Sequence, residues 1–250
     1  MTDFFVAHLN KALIVFAVFA TLFLAERIAP AARVKEQITR IFKNLGLAGL
    51  NFLIGPIIVL PISVFAATHS QGLRPSWWNM GLDLLLLDLW IYAWHRLNHT
   101  IPFLWRFHEV HHLDENLDAS TALRFHFGEV ALSSLVRAAV IWFIGVPITT
   151  VAIFETLVVV AALFHHSNIR LPSRVEVALS KFVVTPSLHW VHHHAKREDT
   201  DSNYSTILSM WDFVFKSRSS NARNLAMKMG VEGGKDENIL RLILRPFWKA

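Results

Sequence analysis

"MGLDLLLLDLWIYAWHRLNHTIPFLWRFHEVHH", residues 80–112, joins an apolar run to two histidine boxes without a linker. Met80 to Trp94 is apolar apart from Asp83 and Asp88, and it ends directly in HRLNH (His95, His99), followed by HEVHH (His108, His111, His112). Residues three and four apart share one face of a helix. The spacing therefore predicts a membrane helix that delivers clustered imidazoles to one membrane face. A third box, HWVHHH at 189–194, repeats the pattern with His189, His192 and His193. Each box is expected to turn two or three ring nitrogens toward one spot, as a metal ion asks. Eight such ligands exceed what one ion can use, and two ions fit better. His194 lies ~100° around the helix from His193 and is left out. All-imidazole ligation suits iron, zinc or copper, and ligand type does not separate them.

Outward from this stretch, the chain of 250 residues is 53% hydrophobic and 17% charged, against ~25% charged in soluble domains. The apolar excess is gathered into runs: Leu9 to Ala25, Leu45 to Ala67 with Pro56 and Pro61, Met80 to Trp94, and Val130 to Phe164. The last is broken by Arg137, Glu155 and the turn-like IGVP at 144–147, and reads as a hairpin of two helices. Runs near ~20 residues are long enough to span a bilayer. The expected fold is an all-α integral membrane protein of about four transmembrane helices with a cytoplasmic, helical, histidine-rich cap, one domain over 1–250. No small-residue cleavage site follows the first run, so it reads as an uncleaved helix. Arg27, Arg33, Lys35, Arg40 and Lys43 lie between the first two runs, and only Arg74 between the next two. The positive-inside rule puts the first loop in the cytoplasm. The twelve histidines from His95 to His194 then share the cytoplasmic face, with His8 and His69 opposite. Trp77 and Trp78 read as an interfacial pair. A net charge of +5 in such a chain fits anionic headgroups, and no nucleic-acid partner is expected. The absence of cysteine excludes iron–sulfur clusters and thiolate metal sites.

Taken in order, HRLNH, HEVHH and HWVHHH resemble the fatty acid hydroxylase / sterol desaturase superfamily of membrane oxygenases. WRFHEVHHLDENLDASTALRFH (105–126) and NYSTILSMWDFVF (203–215) resemble its bacterial, alkylglycerol-monooxygenase-like branch, and the likeness covers about Leu82 to Phe215. The resemblance implies a membrane-bound non-haem di-iron centre in an O2-dependent oxidoreductase that hydroxylates or desaturates a C–H bond of a lipid or sterol-like substrate. It implies two Fe held by histidines alone, zinc being able to substitute on purification. Carried over by position, the ligands are His95, His99, His108, His111, His112, His189, His192 and His193, joined by His166 after the hairpin. His165 and His126 are further metal or supporting candidates. Relatives often have His-Pro where this chain has His126–Phe127, and a glycine where it has Lys216.

Asp114 and Asp118 are candidates to accept imidazole N–H bonds, and Trp90, Trp94, Trp105 and Phe107 to line a substrate path. The chain carries no haem-binding or nucleotide-binding signature, so electrons are expected from a separate ferredoxin or cytochrome b5-like carrier and its reductase. Lys196, Arg197, Lys216 and Arg218 are candidates to attract an acidic carrier. The expected location is the bacterial inner membrane. A histidine-ligated metal-ion transporter or a non-catalytic metal-binding membrane protein is the alternative. Transport sites, however, sit near the bilayer midplane rather than at helix ends.

Overall fold

The computed structural model describes residues 2–33, 38–70 and 78–248, with side chains from residue 11 onward. Lys35, Arg74 and Trp77 and the side chain of His8 lie outside the described residues. The described residues form no strand. In chain order the helices are α1 (Thr2–Ile28), α2 (Ile38–Ile54), α3 (Leu60–Thr68), α4 (Met80–Thr100), α5 (Pro102–His112), α6 (Phe127–Ile144) and α7 (Ile148–His166). Five shorter helices follow: α8 (Ser173–Leu179), α9 (Pro186–His192), α10 (Arg197–Thr200), α11 (Met210–Val214) and α12 (Ile239–Trp248).

Three helices among the described residues are long and apolar enough to cross a membrane: the 31-residue rod Ile38–Thr68, then α6 and α7. The rod joins α2 to α3 through a π-helical turn, Gly55–Val59. That turn absorbs the amide missing at Pro56, so the helix continues where an α-helical ladder would break. α4 is not one of the three, although its apolar run reads as a span. Its two carboxylates are buried against protein rather than lipid. The Trp78 indole donates to Asp83 at 2.7 Å, and the Trp211 indole and Leu208 amide donate to Asp88 at 2.8 and 3.2 Å. α6 and α7 are joined as the hairpin predicts. Gly145 takes φ 84°, the left-handed conformation that closes a helix and that glycine adopts without strain. Phe154, Ile141, Leu87 and Val151 pack the core between this hairpin and α4.

The base of α2 enters the histidine-bearing region. Arg40, only 4% exposed, bonds Asp114 at 2.8 Å and also Asp118. Asn44 donates to Asp114 at 2.9 Å. Arg124 is fully buried and donates to the Val110 carbonyl, Asn44 and Asp236. This network ties α2 and the C-terminal segment to the end of α5. Arg40, counted above as a loop cation, is thus a structural one.

Candidate metal centre

Two adjoining groups of ring nitrogens converge where α4, α5, α7 and α9 meet. His95, His99, His108, His112 and His192 form one group, and His111, His166, His189 and His193 form the other, the ligand atoms in each lying within 4.8 Å of one another. The nine residues are those carried over by position from the sequence. Their partition was not expected. A box does not aim at one spot, because i+3 and i+4 on a helix stand ~100° apart and straddle the first histidine's face. In α5, His108 and His112 join the five-imidazole group and His111 the other. In α9 the split is reversed: His189 and His193 join the four-imidazole group and His192 the five. Each of the two HxxHH boxes therefore feeds both groups, and the rings of His112 and His193 stack at 4.4 Å where the groups touch.

The electrostatics fit metal ions. Burial, reinforced by neighbouring imidazoles, holds His111, His112, His189, His192 and His193 well below the usual imidazole range. The rings are neutral and keep a lone pair. Hydrogen bonds then decide where it points. The Nδ1–H groups of His95, His192 and His166 donate to the carbonyls of Tyr204 (2.7 Å), Ser202 (2.6 Å) and Ala162 (2.8 Å). That of His108 donates to Glu129 Oε1 at 2.9 Å. Each of these rings offers its Nε2 lone pair to the centre. In the four-imidazole group, Nε2 of His166 lies 3.0 Å from those of His111 and His189, and Nε2 of His193 lies 3.1 Å from that of His189. The second ring nitrogens of His111, His189 and His193 are buried without a partner. So close a gathering of neutral donors is what a divalent cation with imidazole ligands requires.

Other expected residues fall elsewhere. His126 joins neither group: its Nδ1 accepts from the Gly128 amide and its Nε2 donates to the Ile243 carbonyl, both at 2.9 Å, so it caps α6. The close approach of Phe107 there leaves no room for a side chain at Gly128, whose Cβ would sit 2.6 Å from the ring. His165 packs on His189, ring centres 4.1 Å apart, but contributes to neither group. Asp114 and Asp118 hold the Arg40 guanidinium and not an imidazole. Although burial works against it, Arg40 with Ser120 keeps the Asp118 carboxyl below the ordinary carboxylate range. Glu129 supplies the carboxylate to histidine that the sequence reading sought in those aspartates. Arg197 is engaged within the protein, with the His99 carbonyl at 2.7 Å and the Trp105 ring at 4.6 Å.

The segment after α9 supplies further supports. Asn203 takes φ 52°, a left-handed turn that presents the Ser202 and Tyr204 carbonyls to His192 and His95. Asp212 pins this turn by accepting from the amides of Tyr204 and Ser205. Lys216 takes φ 53°, which explains why a glycine suits that position.

A mostly apolar cavity of about 370 Å³ lies against the histidines, between the candidate spans. Trp94 lines it, together with His95, His108, His111, His166 and His189. Trp90, Trp105 and Phe107 do not line it. Trp90 stacks behind Trp94, and Trp105 packs on His99 and His112.

Comparison with known proteins agrees with this geometry. The fatty acid hydroxylase family profile matches residues 80–217, which contain all nine histidines. Ornithine lipid hydroxylase OlsE of Rhizobium tropici is 24% identical over 196 residues, covering 77% of this chain and 58% of its own length. Alkylglycerol monooxygenase of Homo sapiens is 30% identical over 189 residues, 74% of this chain and 41% of its own. The cholesterol 25-hydroxylase-like protein of Danio rerio is 27% identical over 156 residues, 62% and 60%. The chain spans about half the length of the curated relatives it matches. No solved structure matches it. With three ordered histidine boxes, two imidazole groups and a profile that covers more than half its length, the chain belongs to the fatty acid hydroxylase family.

Proposed function

We propose that the protein is a membrane-bound di-iron oxygenase that hydroxylates a C–H bond of a lipid, taking O2, two electrons and two protons and releasing one water. The observation that carries this reading is the pair of all-imidazole groups set against an apolar cavity between candidate spans. His95, His99, His108, His112 and His192 would hold one iron, and His111, His166, His189 and His193 the other. Iron bound there would supply the oxygen-activating redox chemistry that an unactivated C–H bond demands. The named relatives, a lipid hydroxylase and an alkylglycerol monooxygenase, point to the same class of substrate.

The chain's own contribution is placement and shielding. Glu129 and the carbonyls of Ser202, Tyr204 and Ala162 fix the rings before a substrate arrives. The cavity walls hold the substrate chain beside the four-imidazole group and exclude water, which limits side reactions. The single domain sits with its histidine end in the cytoplasm, where a separate carrier delivers electrons. α1 and α4 cross with the three apolar helices, and α4 returns the chain from the far end of the rod to the histidines.

Metal content of detergent-purified protein from iron-supplied cells tests the reading, beside His111→Ala, which leaves three imidazoles in its group. Two irons per chain in the wild type and one in the variant are expected, with an oxygen-dependent lipid product one oxygen atom heavier. A folded wild type that binds no metal overturns the proposal.

A further inference from the structure

The other end of the cavity is charged. Lys11 of α1, Arg137 of α6 and Glu155 of α7 line it. Arg137 donates to Glu155 Oε1 at 2.8 Å and Lys11 to Oε2 at 2.7 Å, so both carboxylate oxygens carry a cation. Glu155 lies three turns before His166 on α7, ~16 Å along the axis. The rest of the lining is mostly apolar, with Ala48, Val59, Ile91 and Val158, and carries a few polar side chains such as Asn51 and Ser133.

Charged side chains within spanning helices are expensive and mark function more often than packing. A pin between helices needs one cation for one carboxylate. Among the described residues two cations meet one here, and the buried Nε of Arg137 has no hydrogen-bond partner. One monoanion would balance the three groups and give that guanidinium another acceptor. The arrangement has the form of a measured slot: cations at one end, an apolar channel, and imidazoles at the other.

We propose that Lys11 and Arg137 form the head-group site for a single-chain anionic amphiphile, a carboxylate or a phosphate, whose tail runs along the cavity to the histidines. The proposal rests on the reading that this cavity holds the lipid to be oxidised, and it narrows that lipid's class. It also implies attack far along the chain from the acidic group, not beside it.

The test measures binding and needs no turnover. Palmitate, hexadecyl phosphate and hexadecanol share a chain length and differ only in the head group. Their dissociation constants are measured on the full-length, metal-loaded protein in nanodiscs of neutral lipid. At least one anion is expected to bind ~10-fold more tightly than the alcohol, the scale of a charge-assisted contact. The tighter of the two anions identifies the head group. Arg137→Gln and Lys11→Gln should each remove most of that preference and leave hexadecanol binding unchanged, Lys11→Arg should keep it, and Glu155→Gln should strengthen it. Equal binding of both anions and the alcohol by the wild type overturns the proposal, as does an anion preference that survives Arg137→Gln. An anion preference without any lipid oxidation would sink the oxygenase reading and leave this site standing. Oxidation without the preference would do the reverse.

Discussion

The two imidazole groups draw on the same boxes yet are held differently. In the five-imidazole group, His95, His108 and His192 each give Nδ1–H to a fixed acceptor. In the four-imidazole group only His166 does, and His111 is held instead by stacking on Phe125 at 4.4 Å and 9°. Three of the four rings line the cavity, but only His95 and His108 of the five. One group is oriented mainly by hydrogen bonds, and the other, oriented mainly by packing, turns more of its rings to the cavity. Closed metal sites hold their ion, whereas sites with fewer protein ligands keep a position open for chemistry. On the proposed reading, the first group is expected to retain its ion and the second to exchange it.

The largest effect should come from ligand loss. His189→Ala leaves three imidazoles in the four-imidazole group, so lipid product should fall to background and metal to one ion per chain. His99→Ala still leaves four imidazoles in its group, and both of its own ring nitrogens lack hydrogen bonds. It should keep two ions and lose turnover only in part. Equal metal loss in the two variants, measured by elemental analysis, would break the comparison.

A lesion in a support common to both groups should erase the difference. Arg40 and Asp118 brace the end of α5, which feeds both. Breaking such a buried pair costs about 3–5 kcal/mol, so Asp118→Asn should lower the melting temperature and loosen both metals together. The sign with pH follows from a depressed folded pKa. The stabilisation is complete above the unfolded value of ~3.9 and is lost as pH falls through the lower folded value. The gap between wild type and variant should therefore shrink as pH falls below about 4. A gap that persists in full at about pH 2 would contradict the assignment of Asp118.

Glu129 probes one side alone. Outer carboxylates of this kind tune metal affinity by ~10–100-fold. Glu129→Ala should weaken the five-imidazole site by that much in chelator competition, with Glu129→Gln intermediate because its amide oxygen still accepts from His108. Iron should leave the wild type in two phases, the four-imidazole group first, and in Glu129→Ala the phases should converge. A single phase in the wild type would remove the distinction between the groups.

The nine grouped histidines were legible because histidine spacing on a helix is a local property. Their partition was not, since it depends on how α5 and α9 face each other. The supports were harder still. Glu129 is 21 residues from His108 and on another helix, and the carbonyls that hold His95 and His192 carry no side-chain signature at all. Asp114 and Asp118 lie close to the second box in sequence, yet the base of α2, some 70 residues away, claims them both. Asp83 and Asp88 mark the side of α4 that meets protein, where the Trp78 and Trp211 indoles donate to them, and the apolar count around them carries no sign of those partners.

The smallest effect belongs to the turn behind the five-imidazole group. Lys216 sits at φ 53°, where a Cβ costs ~1–2 kcal/mol that glycine does not incur. Glycine gives back ~0.5–1 kcal/mol in chain entropy. Lys216→Gly should therefore stabilise by up to about 1 kcal/mol. The neighbouring Ser217 carbonyl accepts from the Asn203 amide, and the Ser217 hydroxyl donates to Asp212, so the turn bears directly on the carbonyls that anchor His95 and His192. Among the described residues no hydrogen bond runs from this turn to a ring of the four-imidazole group. The gain should appear as a slightly higher melting temperature and a slower release of the tightly held metal, with the fast phase unmoved. A change in the fast phase alone would place the support of this turn on the wrong group.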